Sequence, residues 1–149
     1  MNDIALVRLQ REVSFSDNVK PICLPKGGIS FKPATNCTVT GFGNIIEGGK
    51  GSRTLKKTNL PIVDDSTCSS LYGAQALNQQ FGAGYEEGKT ASCQGDSVGP
   101  LACQKDGKYY LTGVVNGAVG CARPGYPPVF ANVTFFMKWI ETVQKYNLW

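Results

Sequence analysis

Apolar positions in this chain fall in short runs separated by glycine, proline and polar clusters. Ile4 to Leu9 is mostly apolar with β-branched residues, bounded by Asp3 and by Gln10-Arg11-Glu12, and the pattern predicts a buried strand. Residues 13–36 hold Pro21, Pro25, Gly27, Gly28 and Pro33, which interrupt any period and predict a connecting segment that contains Cys23. From Cys37 onward, runs such as Cys37 to Phe42, Leu60 to Val63, Tyr109 to Val115 and Val129 to Val133 lie between glycine-rich turns. Strands this short, at this spacing, predict an all-β antiparallel sandwich or barrel. The period then changes: Phe135, Phe136, Trp139, Ile140 and Val143 follow steps of three and four, which predicts a C-terminal amphipathic helix whose stripe packs on the barrel.

Composition narrows this picture. A chain of 149 residues, 42% hydrophobic and 17% charged, is enough for one core and too short for two full domains. The net charge of +4 comes without a basic run; Arg53, Lys56 and Lys57 predict a solvated surface, and neither nucleic acid nor a membrane is expected as a partner. The six cysteines are widely spaced, with no CxxC pair and no histidine to complete a zinc set, so disulfides in an oxidising compartment are expected and no metal or cofactor is. Asn36-Cys37-Thr38 and Asn132-Val133-Thr134 fit the glycosylation pattern. The first residues lack the basic end and apolar run of a signal peptide. That mismatch with the cysteines predicts that an N-terminal part precedes this sequence.

The candidate chemistry lies in Cys93-Gln94-Gly95-Asp96-Ser97-Val98-Gly99-Pro100-Leu101. A serine is a weak nucleophile at neutral pH and needs a neighbouring base and donors aimed at the oxyanion that forms. Gly95 lets the backbone turn so that its own N–H and that of Ser97 point at one spot. The base is missing, since the chain contains no histidine.

Motifs along the whole chain, in order, resemble the C-terminal part of a chymotrypsin/trypsin-type serine endopeptidase. Asn2-Asp3-Ile4-Ala5-Leu6 resembles the segment carrying the triad aspartate, and Pro21-Ile22-Cys23-Leu24-Pro25 the interdomain linker. Cys37-Thr38-Val39-Thr40-Gly41-Phe42-Gly43 is similar to the family's C-x-V-T-G-W-G; Gly84 to Gly88 is similar to the loop before the active site, and Gly120 to Pro127 to a wall of the specificity pocket. The resemblance implies the second barrel of a two-barrel fold with a terminal helix, the first barrel being mostly absent. Its divisions are residues 1–12 as the last strand of the first barrel, 13–36 as linker, 37–134 as second barrel and 135–149 as helix.

The same resemblance implies Ser97 as nucleophile position, Asp3 as the acid that orients a histidine, and Gly95 and Ser97 as oxyanion donors. It implies the pairs Cys37–Cys103 and Cys93–Cys121, with Cys68 unpartnered because Gly82 stands where it would find its mate, and Cys23 unpartnered because in many members it ties back to an upstream activation segment. Around the pocket it places Ala91 at the floor, with Ser92, Gln94, Asn116, Gly117, Ala118 and Pro128. Asp96 corresponds to a carboxylate held by a cleaved N-terminal ammonium; with no such group here, an unpaired charge and a zymogen-like or disordered loop are expected. Val98 replaces a glycine beside the serine, where a glycine-only backbone would make a β-branched residue costly. The expected protein is a secreted-type serine endopeptidase homologue, inactive as it stands, that binds a protein or peptide at the former substrate cleft. The alternative is a piece of an active enzyme whose histidine lies upstream and which needs its N-terminal half as partner.

Overall fold

In Asn36–Gly41 (β1), Cys37 and Val39 alternate into the interior while Thr38 faces outward and donates to Asn59 Oδ1 at 2.9 Å. The other strands are Lys56–Pro61 (β2), Gln80–Gly82 (β3), Pro100–Lys105 (β4), Lys108–Gly117 (β5) and Val129–Asn132 (β6), and the two-residue period recurs in β3 and in Leu101 and Cys103 of β4. The computed structural model describes residues 2–73 and 79–148 of the chain. Met1 and Trp149, the outer limits of the expected divisions, lie outside the described residues.

The six strands form one antiparallel sheet in the order β2-β1-β4-β5-β6-β3. Its two edges meet. Ile62, just beyond β2, bridges to Ala83, just beyond β3, while Val63 N–H donates to the Gly82 carbonyl and Gly84 N–H to the Pro61 carbonyl, both at 2.9 Å. Closing the sheet in this way leaves its edges short and protected. Leu60, Leu101, Phe130, Val39, Val115 and the Cys37–Cys103 bridge fill the interior. The second disulfide is Cys93–Cys121. Each bridge closes a long loop, 66 and 28 residues, and contributes about 3–4 kcal/mol through the unfolded chain.

The C-terminal helix, Val133–Tyr146 (α2), covers one outer face of the barrel. Its Val133, Phe136, Met137, Ile140 and Val143 are buried. Asn132 caps it by accepting from Phe135 N–H, so that asparagine serves a structural role. The aromatic stripe divides, however: Phe135 and Trp139 remain 49% and 40% exposed and pack edge-on against Phe136 instead of against the sheet.

The N-terminal run departs from the sequence expectation. Residues 4–9 form no strand. Ile4 and Leu6 pack on the α2 cluster, while Val7 and Leu9 are exposed, so the alternation expected of a strand is retained only in part. Strand structure requires a ladder partner, and no described segment lies alongside. The connecting segment is anchored instead at Cys23: its N–H donates to the Tyr109 carbonyl at 3.2 Å, its carbonyl accepts from Leu111 N–H at 2.9 Å, and its thiol stays free and exposed.

Three elements were not foreseen. Pro100 at the head of β4 reads as a breaker, yet the first position of a strand tolerates proline. β3 is only three residues long. The helix Asp65–Tyr72 (α1) buries only Cys68, so it has little apolar period to detect; its signal was the cap, since Asp64 accepts from the Thr67 N–H at 2.9 Å. The Ser66 hydroxyl, the Thr67 N–H and the Thr67 hydroxyl together hold the Asp64 carboxyl down to about 2. Among the described residues, no helix is long and apolar enough to cross a membrane.

Cys68 is buried against Gly82, where an added Cβ would lie 2.5 Å from its Sγ, and burial pushes its thiol pKa up. Oxidised protein is therefore expected to titrate two thiols once unfolded. Gly82→Cys should reduce that number to one and raise stability by about 3 kcal/mol, as expected for a loop of this size; retention of two or more thiols would refute the geometry. A second expectation concerns Asp64, whose folded pKa lies below its ordinary 3.8. Its contribution is fully present above 3.8 and is lost as pH falls toward about 2, so amide protection in α1 should drop over that interval ahead of the barrel strands. Equal loss in α1 and β5 would contradict it.

Candidate active site

The loop between Cys93 and Pro100 is tied down at several points. Asp96 N–H donates to the Cys93 carbonyl at 3.0 Å, Gly99 N–H to the Asp96 carbonyl at 2.9 Å, and Val98 N–H to Val115 in β5 at 2.9 Å. The Asp96 carboxylate, half-buried, accepts from Gly43 N–H at 2.8 Å and from Cys93 N–H at 3.1 Å. The expectation of an unpaired charge is thus corrected, because two backbone N–H groups donate to the carboxylate.

Room for that carboxylate comes from two glycines of the motif after β1. A Cβ on Gly41 would collide with Asp96 Oδ1, and one on Gly43 would lie 2.5 Å from the carboxyl carbon. On the same side of the loop, Asp96 borders a cavity of about 190 Å³ lined also by Thr40, Lys56, Thr58, Thr90 and Ala91.

On the other side lies a cleft of about 200 Å³ lined by Ser92, Cys93, Gln94, Ser97, Val115, Gly117, Ala118 and Gly120. Ser97 is exposed at its edge. Gly95 takes φ +93°, a conformation open to glycine. Among the described residues, neither the Gly95 nor the Ser97 N–H donates to an acceptor. Among the described residues, no ionisable side chain lines this cleft.

The structure brings Ser92, Gln94, Gly117 and Ala118 together around Ser97, and leaves other expected pocket residues apart. Ala91 lines the cavity beside Asp96, across the loop. Pro128 is fully buried, its carbonyl accepting from Ala83 N–H at 3.1 Å. Asn116 is half-buried with its Nδ2 unpartnered among the described residues. Asp3 is exposed and forms no hydrogen bond or ion pair among them, as befits an acid with no imidazole to orient.

Val98 sits at φ +66° with its side chain 80% exposed. The left-handed region disfavours a β-branched residue, and the hydrogen bond to Val115 holds it there. Sequence reasoning missed Glu47. Its carboxylate accepts from Arg123 Nε at 3.0 Å, from Arg123 Nη2 at 2.6 Å and from Cys121 N–H at 3.1 Å. The arginine, and after it the Cys121 N–H, lower the Glu47 pKa, and the glutamate raises that of Arg123. A lone acid in a glycine-rich loop and an arginine 76 positions away offer no local pattern.

A family model for trypsin matches residues 1–140. Trypsin-1 of Astacus astacus is 43% identical over 141 residues, an alignment covering 94% of this chain and 59% of the crayfish protein. The chain therefore spans about three fifths of that relative.

Because Val98 buries little, Val98→Gly should remove about 1–2 kcal/mol of left-handed strain against about 0.5–1 kcal/mol of added chain entropy. A net gain of about 0.5–1 kcal/mol in urea denaturation is expected. A lower unfolding midpoint would show that the isopropyl group is needed where it stands.

Proposed function

The chain belongs to the trypsin family, and from that premise we propose that it is a serine-endopeptidase homologue without hydrolytic activity of its own, whose cleft beside Ser97 binds protein or peptide. One observation carries the reading: none of the 149 residues is a histidine. In this chemistry the imidazole removes the serine proton during attack and returns it to the departing amine. Ser97 keeps the two N–H donors but has no group to accept its proton, so the acyl-enzyme does not form at a useful rate.

The surroundings of Ser97 support the same reading. The strained Val98 projects beside the nucleophile, and Asp3 has nothing to orient. An uncharged cleft lined by small residues suits a neutral side chain of an extended ligand better than a lysine or arginine, whose charge would be desolvated there without a partner. The two disulfides favour an oxidising, extracellular setting.

A second reading is favoured by the coverage of the crayfish enzyme: the chain supplies the Ser97 half of an active secreted endopeptidase, and the remaining part supplies the histidine. Labelling with a fluorophosphonate separates the two. The chain alone should stay unlabelled at Ser97 under conditions that saturate an active trypsin. Stoichiometric modification would overturn the inactive reading, while labelling that appears only with upstream sequence present would favour the second.

A further inference from the structure

We infer that residues 44–51 form a strap that holds the two walls of the Ser97 cleft in register, with Glu47 as its positioning residue. The inference rests on the reading of that cleft as a binding site. The strap is closed at its base by an antiparallel bridge between Asn44 and Gly51 and by Ser52 N–H donating to the Phe42 carbonyl at 2.9 Å.

One side of the strap grips the serine loop. Asn44 N–H donates to the Gln94 carbonyl at 2.8 Å, Asn44 Nδ2 to Gln94 Oε1 at 3.3 Å, and Gly48 N–H to the same oxygen at 3.4 Å. Gly43, immediately before it, donates to Asp96. From the other side, Glu47 reaches the opposite wall and takes the Cys121 N–H and both donors of the Arg123 fork. Gly120 admits this approach, since a Cβ there would collide with Arg123 and lie 2.6 Å from Glu47 Oε2.

The Cys93–Cys121 disulfide already joins the same two walls at one point, with Cα atoms 5.1 Å apart. A single bridge sets a separation and leaves orientation free. The planar, two-pronged arginine–carboxylate contact supplies orientation, which a point charge would not. The pair is solvent-exposed, with side chains 54% and 39% accessible, so it contributes little to global stability. Its effect is therefore expected in the shape of the cleft and not in the unfolding midpoint.

Backbone amide spectra of the full chain test this. In Glu47→Ala, the signals of Ser97, Gly117 and Ala118, none of which bonds to Glu47, should shift or broaden, while those of the Asp106-Gly107 turn and the urea midpoint stay in place. Glu47→Gln should give the same pattern at smaller amplitude, and the charge-swapped pair Glu47→Arg with Arg123→Glu, which restores the side-chain pair but leaves the Cys121 N–H without its acceptor, should return the cleft signals part of the way to their original positions. Changes confined to residues 44–51 and 121–123 would overturn the proposal, as would shifts spread through the barrel with a lowered midpoint. The readout needs no ligand, so a cleft that binds no peptide and a strap that positions nothing give different results.

Discussion

The arrangement around Ser97 depends on where the Asp96 carboxylate goes. A half-buried charge must find donors or leave the interior. Here Gly43 and Cys93 provide two N–H groups, and the bare backbone of Gly41 and Gly43 leaves the space to reach them. With that contact in place, Ser97 stands at the edge of the cleft and Val98, bonded through its N–H to Val115 of β5, takes a left-handed conformation. The same constraint opens a cavity on one side of the loop and a cleft on the other.

The barrel that carries this loop closes its two sheet edges on each other through Ile62 and Ala83, and none of its strands comes from the N-terminal residues. Those residues are the contrast. Val7, Leu9, Val13, Phe15 and Val19 are apolar and exposed, and Phe135 and Trp139 of α2 lie exposed beside Ile4. An apolar run without a ladder partner packs where it can, which here means Ile4 and Leu6 on the helix.

Much of this was legible in the sequence, for identifiable reasons. The alternation of Cys37 and Val39, and the three-and-four spacing of Phe136, Ile140 and Val143, are local patterns that burial enforces directly. The serine loop pointed to the site through Gly95 and Ser97, whereas Gly41 and Gly43 were legible only as part of a motif, and the space they leave for Asp96 was not. Less accessible were α1, which buries one residue, and β4, whose leading proline looks like a breaker. The strand expected over residues 4–9 failed for the opposite reason: its pattern is local, but a strand is a relation between two segments.

The amino-acid sequence by itself determined the short strands with a terminal helix, the presence of Ser97 and the absence of any histidine to activate it, because these follow from residue identity and short-range period, while its motifs carried the resemblance to the family and its barrel. Only the tertiary structure decided that Asp96 is satisfied by backbone donors, that Ala91 and Ser97 face different cavities, and that Glu47 clamps Arg123 across the cleft. The Gly43–Asp96 and Glu47–Arg123 contacts join residues 53 and 76 positions apart, and no periodicity or composition records which distant groups a closing barrel will bring within hydrogen-bonding reach.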